Sequence, residues 1–229
     1  MRITAGPGDV GALAQRARAR LGRVRGAAEG VPARVLIGIT GAPGAGKSTL
    51  AGHLATALDR AGVSCVVVGM DGFHLAQTEL DRLGRAERKG APDTFDAHGY
   101  LALLRRLRTE RDHTVYAPQY MRGAVEQPIG SAVPVDPAVQ VVLTEGNYLL
   151  LDSPPWAQVP GALDEVWFLR ADDSARRERL LARHLDGGKS RDQALAFTDG
   201  SDAANARLVA DTAPRADVII DWLEAPADK

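Results

Sequence analysis

Eight consecutive residues, Gly41-Ala42-Pro43-Gly44-Ala45-Gly46-Lys47-Ser48, have the types and spacing of a complete G-x-x-x-x-G-K-[ST] loop. Glycines at these positions let backbone N–H groups close around phosphate oxygens, and a helix starting at the end of the loop adds the positive end of its dipole. Lys47 is spaced to reach the β- and γ-phosphates of a nucleoside triphosphate, and the Ser48 hydroxyl to ligate Mg²⁺. Gly41, Ala42, Pro43, Gly44, Ala45, Gly46, Lys47, Ser48 and Thr49 are therefore the expected phosphate-binding residues.

Such a loop works only between a strand and a helix. The apolar run Val35-Leu36-Ile37-Gly38-Ile39 leads into it, and Ser48-Thr49-Leu50-Ala51-Gly52-His53-Leu54-Ala55 leads out with helical character. The same alternation continues along the chain. Strands are predicted at 35–40, 63–70, 139–144, 165–170 and 216–220, and helices at 47–61, 97–109, 172–186 and 191–212. This pattern predicts an α/β protein with the P-loop NTPase fold: a five-stranded parallel sheet flanked by helices, with a helical lid.

Two acids stand where strands end beside the loop. Asp71 follows the second predicted strand and Glu145 the third. Parallel neighbours aim both carboxylates at the sheet edge where ligands of open α/β sheets bind. One can take a proton from an attacking hydroxyl and the other can hold Mg²⁺. The plainer reading makes each a turn carboxylate. Segments 71–96 and 113–137, rich in Gly and Pro, break the alternation and are expected to form the acceptor side of the cleft. After the fourth strand, Arg176, Arg179 and Arg183 share one helical face at i, i+3, i+7 spacing. Guanidiniums in a row can bracket triphosphate oxygens as charge moves. Arg177 points elsewhere. Residues 171–200 read as the lid, with Gly187-Gly188-Lys189-Ser190 as its turn.

The ordered set Met70-Asp71-Gly72-Phe73-His74, Arg88-Lys89-Gly90-Ala91-Pro92-Asp93-Thr94-Phe95-Asp96 and Thr144-Glu145-Gly146-Asn147-Tyr148-Leu149-Leu150-Leu151 resembles the phosphoribulokinase/uridine kinase/type I pantothenate kinase family. The nearest flavour is its fructose-transport-system kinase-like, or nucleoside/nucleotide kinase-like, branch, and the likeness covers about residues 33–222. It implies ATP and Mg²⁺ as cofactors, Asp71 as general base, Lys47 and Arg179 as catalytic cations, and Ser48 with Glu145 around the metal. On the acceptor side it points to His74, Lys89, Phe95, Asp96, Tyr120, Arg122 and Asn205. Asp96 equally suits the N-cap of the helix starting near Ala97. His74 also reads as a structural histidine, and Lys89 as a solvated loop residue. Tyr116-Ala117-Pro118-Gln119-Tyr120-Met121-Arg122 departs from the family, because Met121 stands where a polar residue is expected after the aromatic. Uridine and fructose are disfavoured on that ground. The implied activity is phosphorylation of a hydroxyl on a small metabolite: a sugar, a nucleoside or a pantothenate-like alcohol. The alternative is a non-catalytic, nucleotide-binding regulatory module tied to transport or metabolism. No Asn-Lys-x-Asp guanine signature is present.

Composition sets the outer bounds. The chain has 229 residues, enough for one substantial core, and a formal net charge of −1 that argues for neither nucleic acid nor membrane partners. Cys65 is the single cysteine, which excludes an intrachain disulfide and suits a reducing, cytoplasmic compartment. Residues 1–34 read as an N-terminal amphipathic helix and linker ahead of a kinase domain at 35–229. Arg16, Arg18, Arg20, Arg23 and Arg25 give that helix a basic face, and an organelle transit peptide is the alternative. The expected partners are the small-molecule acceptor and, as an assembly, a homodimer.

Overall fold

Val35-Leu36-Ile37-Gly38-Ile39-Thr40 is buried along its whole length, as a strand must be when helices cover both faces of its sheet. The computed structural model describes residues 1–6, 9–24, 32–121 and 127–223. Along the chain run β1 (Arg2–Ala5), α1 (Gly11–Leu21), β2 (Val35–Thr40), α2 (Lys47–Arg60), β3 (Cys65–Gly69), α3 (Gln77–Arg82) and α4 (Ala97–Thr109). Then come β4 (Val115–Met121), β5 (Gln127–Val135), β6 (Val141–Gly146), β7 (Glu165–Arg170), α5 (Asp173–Asp186), α6 (Arg191–Phe197), α7 (Ala203–Ala210) and β8 (Val218–Trp222).

The main sheet has six parallel strands in the order β1-β8-β7-β2-β6-β3. The five expected strands are all present, within about two residues of their expected bounds. The sixth, β1, lies in the segment read as helix and linker. It has four residues, too few for a period-2 pattern to declare itself, and is held at the edge by β8. Residues 2–5 and α1 therefore belong to the same layered unit as the rest, with α1 seated against α2. The linker at 26–32 lies almost wholly outside the described residues.

Each face of the sheet has its own core. On one side Leu13 of α1 and Leu50, Leu54 and Leu58 of α2 meet Trp167. On the other, Tyr100 and Leu104 of α4 pack with Trp156 and Phe168. Fully burying one such leucine contributes about 1.5–3 kcal/mol. Arg34 stitches the entrance of β2 to the approach of β6, donating to the carbonyls of Leu107 and Val139 at 2.9 Å each. Burial, with Arg111 nearby, pulls its guanidinium down to about 10.

Two segments differ from expectation. Residues 113–137 hold an antiparallel ribbon, β4 with β5, and its register shifts between Ala117 and Gln119. Pro118, Pro128 and Pro134 disguise these strands, but a two-stranded ribbon has free edges and a bulge where prolines fit. The helix expected over 191–212 is broken by one π turn, Thr198–Asp202, between α6 and α7. Gly200 sits in that turn, where a weak helix former offers least resistance to rewinding.

The ribbon packs on β3, on α4 and on the turn after β3, and one of these approaches is especially tight. A Cβ on Gly72 would collide with the Pro118 carbonyl, so only glycine lets β4 lie over the turn that carries Asp71. Gly72→Ala is expected to cost about 1–3 kcal/mol, the usual penalty of overpacking. A urea midpoint equal to wild type would show that the ribbon yields instead.

Candidate functional site

The phosphate loop leaves β2 at Thr40 and enters α2 at Lys47. Gly44 has φ 76°, and a Cβ there would stand 2.9 Å from the Arg176 carbonyl. The tight turn therefore requires glycine, and α5 packs directly on it. Lys47 is buried, and its ammonium donates to the carbonyls of Gly41 and Ala42 at 3.0 Å each and to Asn147 Oδ1 at 2.7 Å. Ser48 and Thr49 follow in the first turn of α2, facing the same cavity.

Parallel pairing delivers the two acids. Glu145 of β6 stands in register with Ile39 of β2 and Gly69 of β3. Its Oε1 accepts the Ser48 hydroxyl at 2.9 Å. Asp71 lies on the short 3₁₀ turn Met70–Phe73 that follows β3. Behind them, the Tyr100 hydroxyl meets Thr144 Oγ1 at 2.6 Å, and Thr144 donates to the Val68 carbonyl at 2.8 Å. Since Thr144 donates onward, Tyr100 donates to it. Burial pushes the Tyr100 phenol well above its usual range, so that proton stays in place. This buried chain fixes β3 to β6 directly beneath the acids.

Ser48 Oγ and Glu145 Oε1 fit Mg²⁺. Both are hard oxygens, and adjacent ligands of an octahedral ion with bonds near 2.1 Å lie about 2.9 Å apart, the separation found here.

A cavity of about 510 Å³ opens over these groups. Its nucleotide side has the loop from Pro43 to Thr49, with Arg179 and Arg183. Arg179 Nε donates to the Gly44 carbonyl at 2.8 Å, tying α5 to the loop. Arg176, expected beside them, is absent from the cavity wall. It is buried, donates to the Pro43 carbonyl at 3.2 Å and pairs with Asp173, so it braces the loop from behind. Arg177 turns away, as expected, onto Asp199 through two bonds of 2.8 Å.

Of the residues expected to meet an acceptor, His74, Lys89, Phe95, Tyr120 and Asn205 line this cavity together with Asp71. His74 Nδ1 donates to the Asp71 carbonyl at 2.8 Å, so that nitrogen carries a proton. Its ring lies 4.0 Å from Phe95 and 4.6 Å from Tyr120, centroid to centroid. Lys89 Nζ stands 5.6 Å from the Tyr120 ring centre, within reach of a cation–π contact. Asn205 Nδ2 donates to the Gly90 carbonyl at 3.3 Å. Asp96 does not line the cavity: it is exposed and caps α4, accepting from the Gly99 N–H at 2.8 Å. Arg122 lies outside the described residues.

Several lining residues had no role in the sequence reading: Asn147, Gln77, and on the lid His184 and Asp202. His184 Nε2 and Asp202 Oδ2 are 2.7 Å apart across the two arms of the lid. Eighteen residues separate them, and only the π turn brings them together, so no local pattern announces the pair. Asn147 was legible in principle, two residues past Glu145 at the carboxyl end of the same strand.

Known proteins share this arrangement of elements. The model of the phosphoribulokinase/uridine kinase family matches residues 36–224. The Schizosaccharomyces pombe protein named "Putative uridine kinase C227.14" is 36% identical over 198 residues, covering 83% of this chain and 84% of that one. The crystal structure of a "putative fructose transport system kinase" from Silicibacter sp. TM1040 superposes with a TM-score of 0.79 at 38% identity, over 91% of this chain and 97% of that chain. Saccharomyces cerevisiae YFH7, described as "a putative P-loop containing kinase with a circular permutation", superposes at 0.78 with 18% identity, over 95% and 99%. At that identity the likeness is one of fold.

The cap assignment for Asp96 separates it from the cavity. Asp96→Ala is expected to lose about 0.5–2 kcal/mol of stability, with Asp96→Ser restoring most of it and nucleotide affinity unchanged in both. Chemical unfolding beside a nucleotide titration checks this. A variant of native stability that binds ligands differently would return Asp96 to the site.

Proposed function

The chain belongs to the phosphoribulokinase/uridine kinase family, and we propose that it transfers the γ-phosphoryl group of ATP to a hydroxyl of a small metabolite. The acceptor class is a sugar, a nucleoside or a pantothenate-like alcohol. One observation carries the reading: Lys47, Ser48, Glu145 and Asp71 all open on a single cavity, with an aromatic and polar acceptor wall beside Asp71.

The roles follow from placement. Loop amides and the Lys47 ammonium hold the triphosphate. Arg179 and Arg183 reach the same space from α5 and offset charge on the moving phosphoryl group. Asp71 takes the proton of the acceptor hydroxyl as its oxygen bonds to the γ-phosphorus. The bond from that phosphorus to the β–γ bridging oxygen breaks, and ADP leaves. Bound at Ser48 and Glu145, Mg²⁺ would supply charge neutralisation on the phosphate oxygens. His74, tied to the Asp71 backbone, keeps the turn and the aromatic wall in one piece. The lid from α5 to α7 covers the cavity with Leu180, His184 and Phe197, and excluding water there protects the phosphoryl group from hydrolysis.

Asp71→Asn is expected to retain nucleotide binding while transfer falls by about two to four decades, the usual worth of a general base. The assay is ADP release with Mg²⁺ and ATP across sugars, nucleosides, pantothenate and related alcohols. Near-normal turnover in that variant removes Asp71 from the role of base. Acceptor-independent behaviour across the panel, with ATP tightly bound, would favour a regulatory module.

Lys47→Ala is expected to weaken triphosphate binding at least tenfold. Unchanged affinity in a calorimetric titration would place the nucleotide elsewhere.

A further inference from the structure

The Lys47 ammonium donates to two backbone carbonyls of its own loop, which the fold supplies whatever the sequence. It also donates to Asn147 Oδ1 at 2.7 Å, a side chain from a different strand end. Asn147 is itself fixed. Its backbone carbonyl accepts the Thr40 hydroxyl at 2.9 Å. The hydroxyl of the next residue, Tyr148, donates to the Gly90 carbonyl, where Asn205 also donates. The backbone that carries the amide aiming Lys47 is therefore anchored at Asn147 and again at Tyr148.

We propose that Asn147 is a positioning residue for Lys47, and that its neutrality is the property that matters. The inference rests on the reading of the loop as a triphosphate site. Asp71, Glu145 and Asp202 already bring carboxylates to the cavity. Another carboxylate at 2.7 Å from the ammonium would cancel its charge just where a polyanion has to land. An apolar residue would take the amide bond away from the ammonium and leave it charged but less well aimed. An amide accepts the ammonium hydrogen bond and leaves the positive charge to act on phosphate. Position 147 therefore distinguishes shape from charge: aspartate copies the shape of asparagine, and alanine copies its lack of charge.

The experiment titrates Mg²⁺ with a non-hydrolysable ATP analogue into wild type, Asn147→Ala, Asn147→Asp and Lys47→Ala, and follows thermal melting of each without nucleotide. Asn147→Ala is expected to bind about threefold more weakly than wild type. Asn147→Asp is expected to bind at least tenfold more weakly, although its nucleotide-free melting temperature equals or exceeds that of the alanine variant. A purely structural role predicts the opposite order, with the isosteric aspartate nearer wild type. Aspartate binding as tightly as wild type, or more tightly than alanine, beside a Lys47→Ala variant that has lost binding, overturns the inference and leaves the triphosphate site standing. Lys47→Ala binding like wild type overturns both.

Discussion

The row Ile39–Glu145–Gly69, three residues abreast on β2, β6 and β3, is the constraint from which the chemistry of this protein descends. Strand neighbours alternate faces with a period of two, so a slip of one residue in β6 would turn Glu145 away from Ser48. It would also move Asn147 away from Lys47. Holding that register is the task of the buried faces of these strands and of the Tyr100–Thr144–Val68 chain beneath them. The polar chain is fully satisfied, which is what lets it lie in an apolar core without penalty.

Around that row the protein sorts its arginines by depth. Arg34 and Arg111 are buried and donate to backbone carbonyls, acting as rivets between loops. Arg176 does the same for the phosphate loop, one turn of α5 from Arg179, which faces the cavity. A single helix thus braces the loop and serves the space in front of it. The i, i+3, i+7 stripe reads as one face in the sequence, yet three residues on one face can meet backbone, cavity rim and cavity in turn, because the loop passes under only part of the helix.

Much of this was legible from residue order. The phosphate loop, the two acids at strand ends and the parallel alternation carry strong local patterns, and each stands where its spacing places it. The exceptions share a cause. The four-residue β1 is too short to show a period, and the prolines of the β4–β5 ribbon mask strands whose bulge and edges accommodate them. The π turn at Thr198–Asp202 is a change of winding that periodicity cannot register. Asp96 was readable as either a cap or a ligand, since one carboxylate serves both, and only the bond to Gly99 separates them. The His184–Asp202 contact depends on the lid's two arms folding back together, so it belongs to tertiary structure alone.

The edge strand β1 has a consequence for how the protein is made. Among the described residues Arg2–Ala5 pair with Ile219–Trp222 alone, and the backbone contact that leads into this pairing spans 216 residues of chain. At ribosomal speeds of about 5–20 residues per second, the first strand emerges on the order of ten to forty seconds before its partner exists. Through that interval the phosphate loop, α2 and the central strands can assemble, while the leading segment stays an unpaired ribbon. The sheet edge is therefore sealed late, by two segments 216 residues apart in the chain.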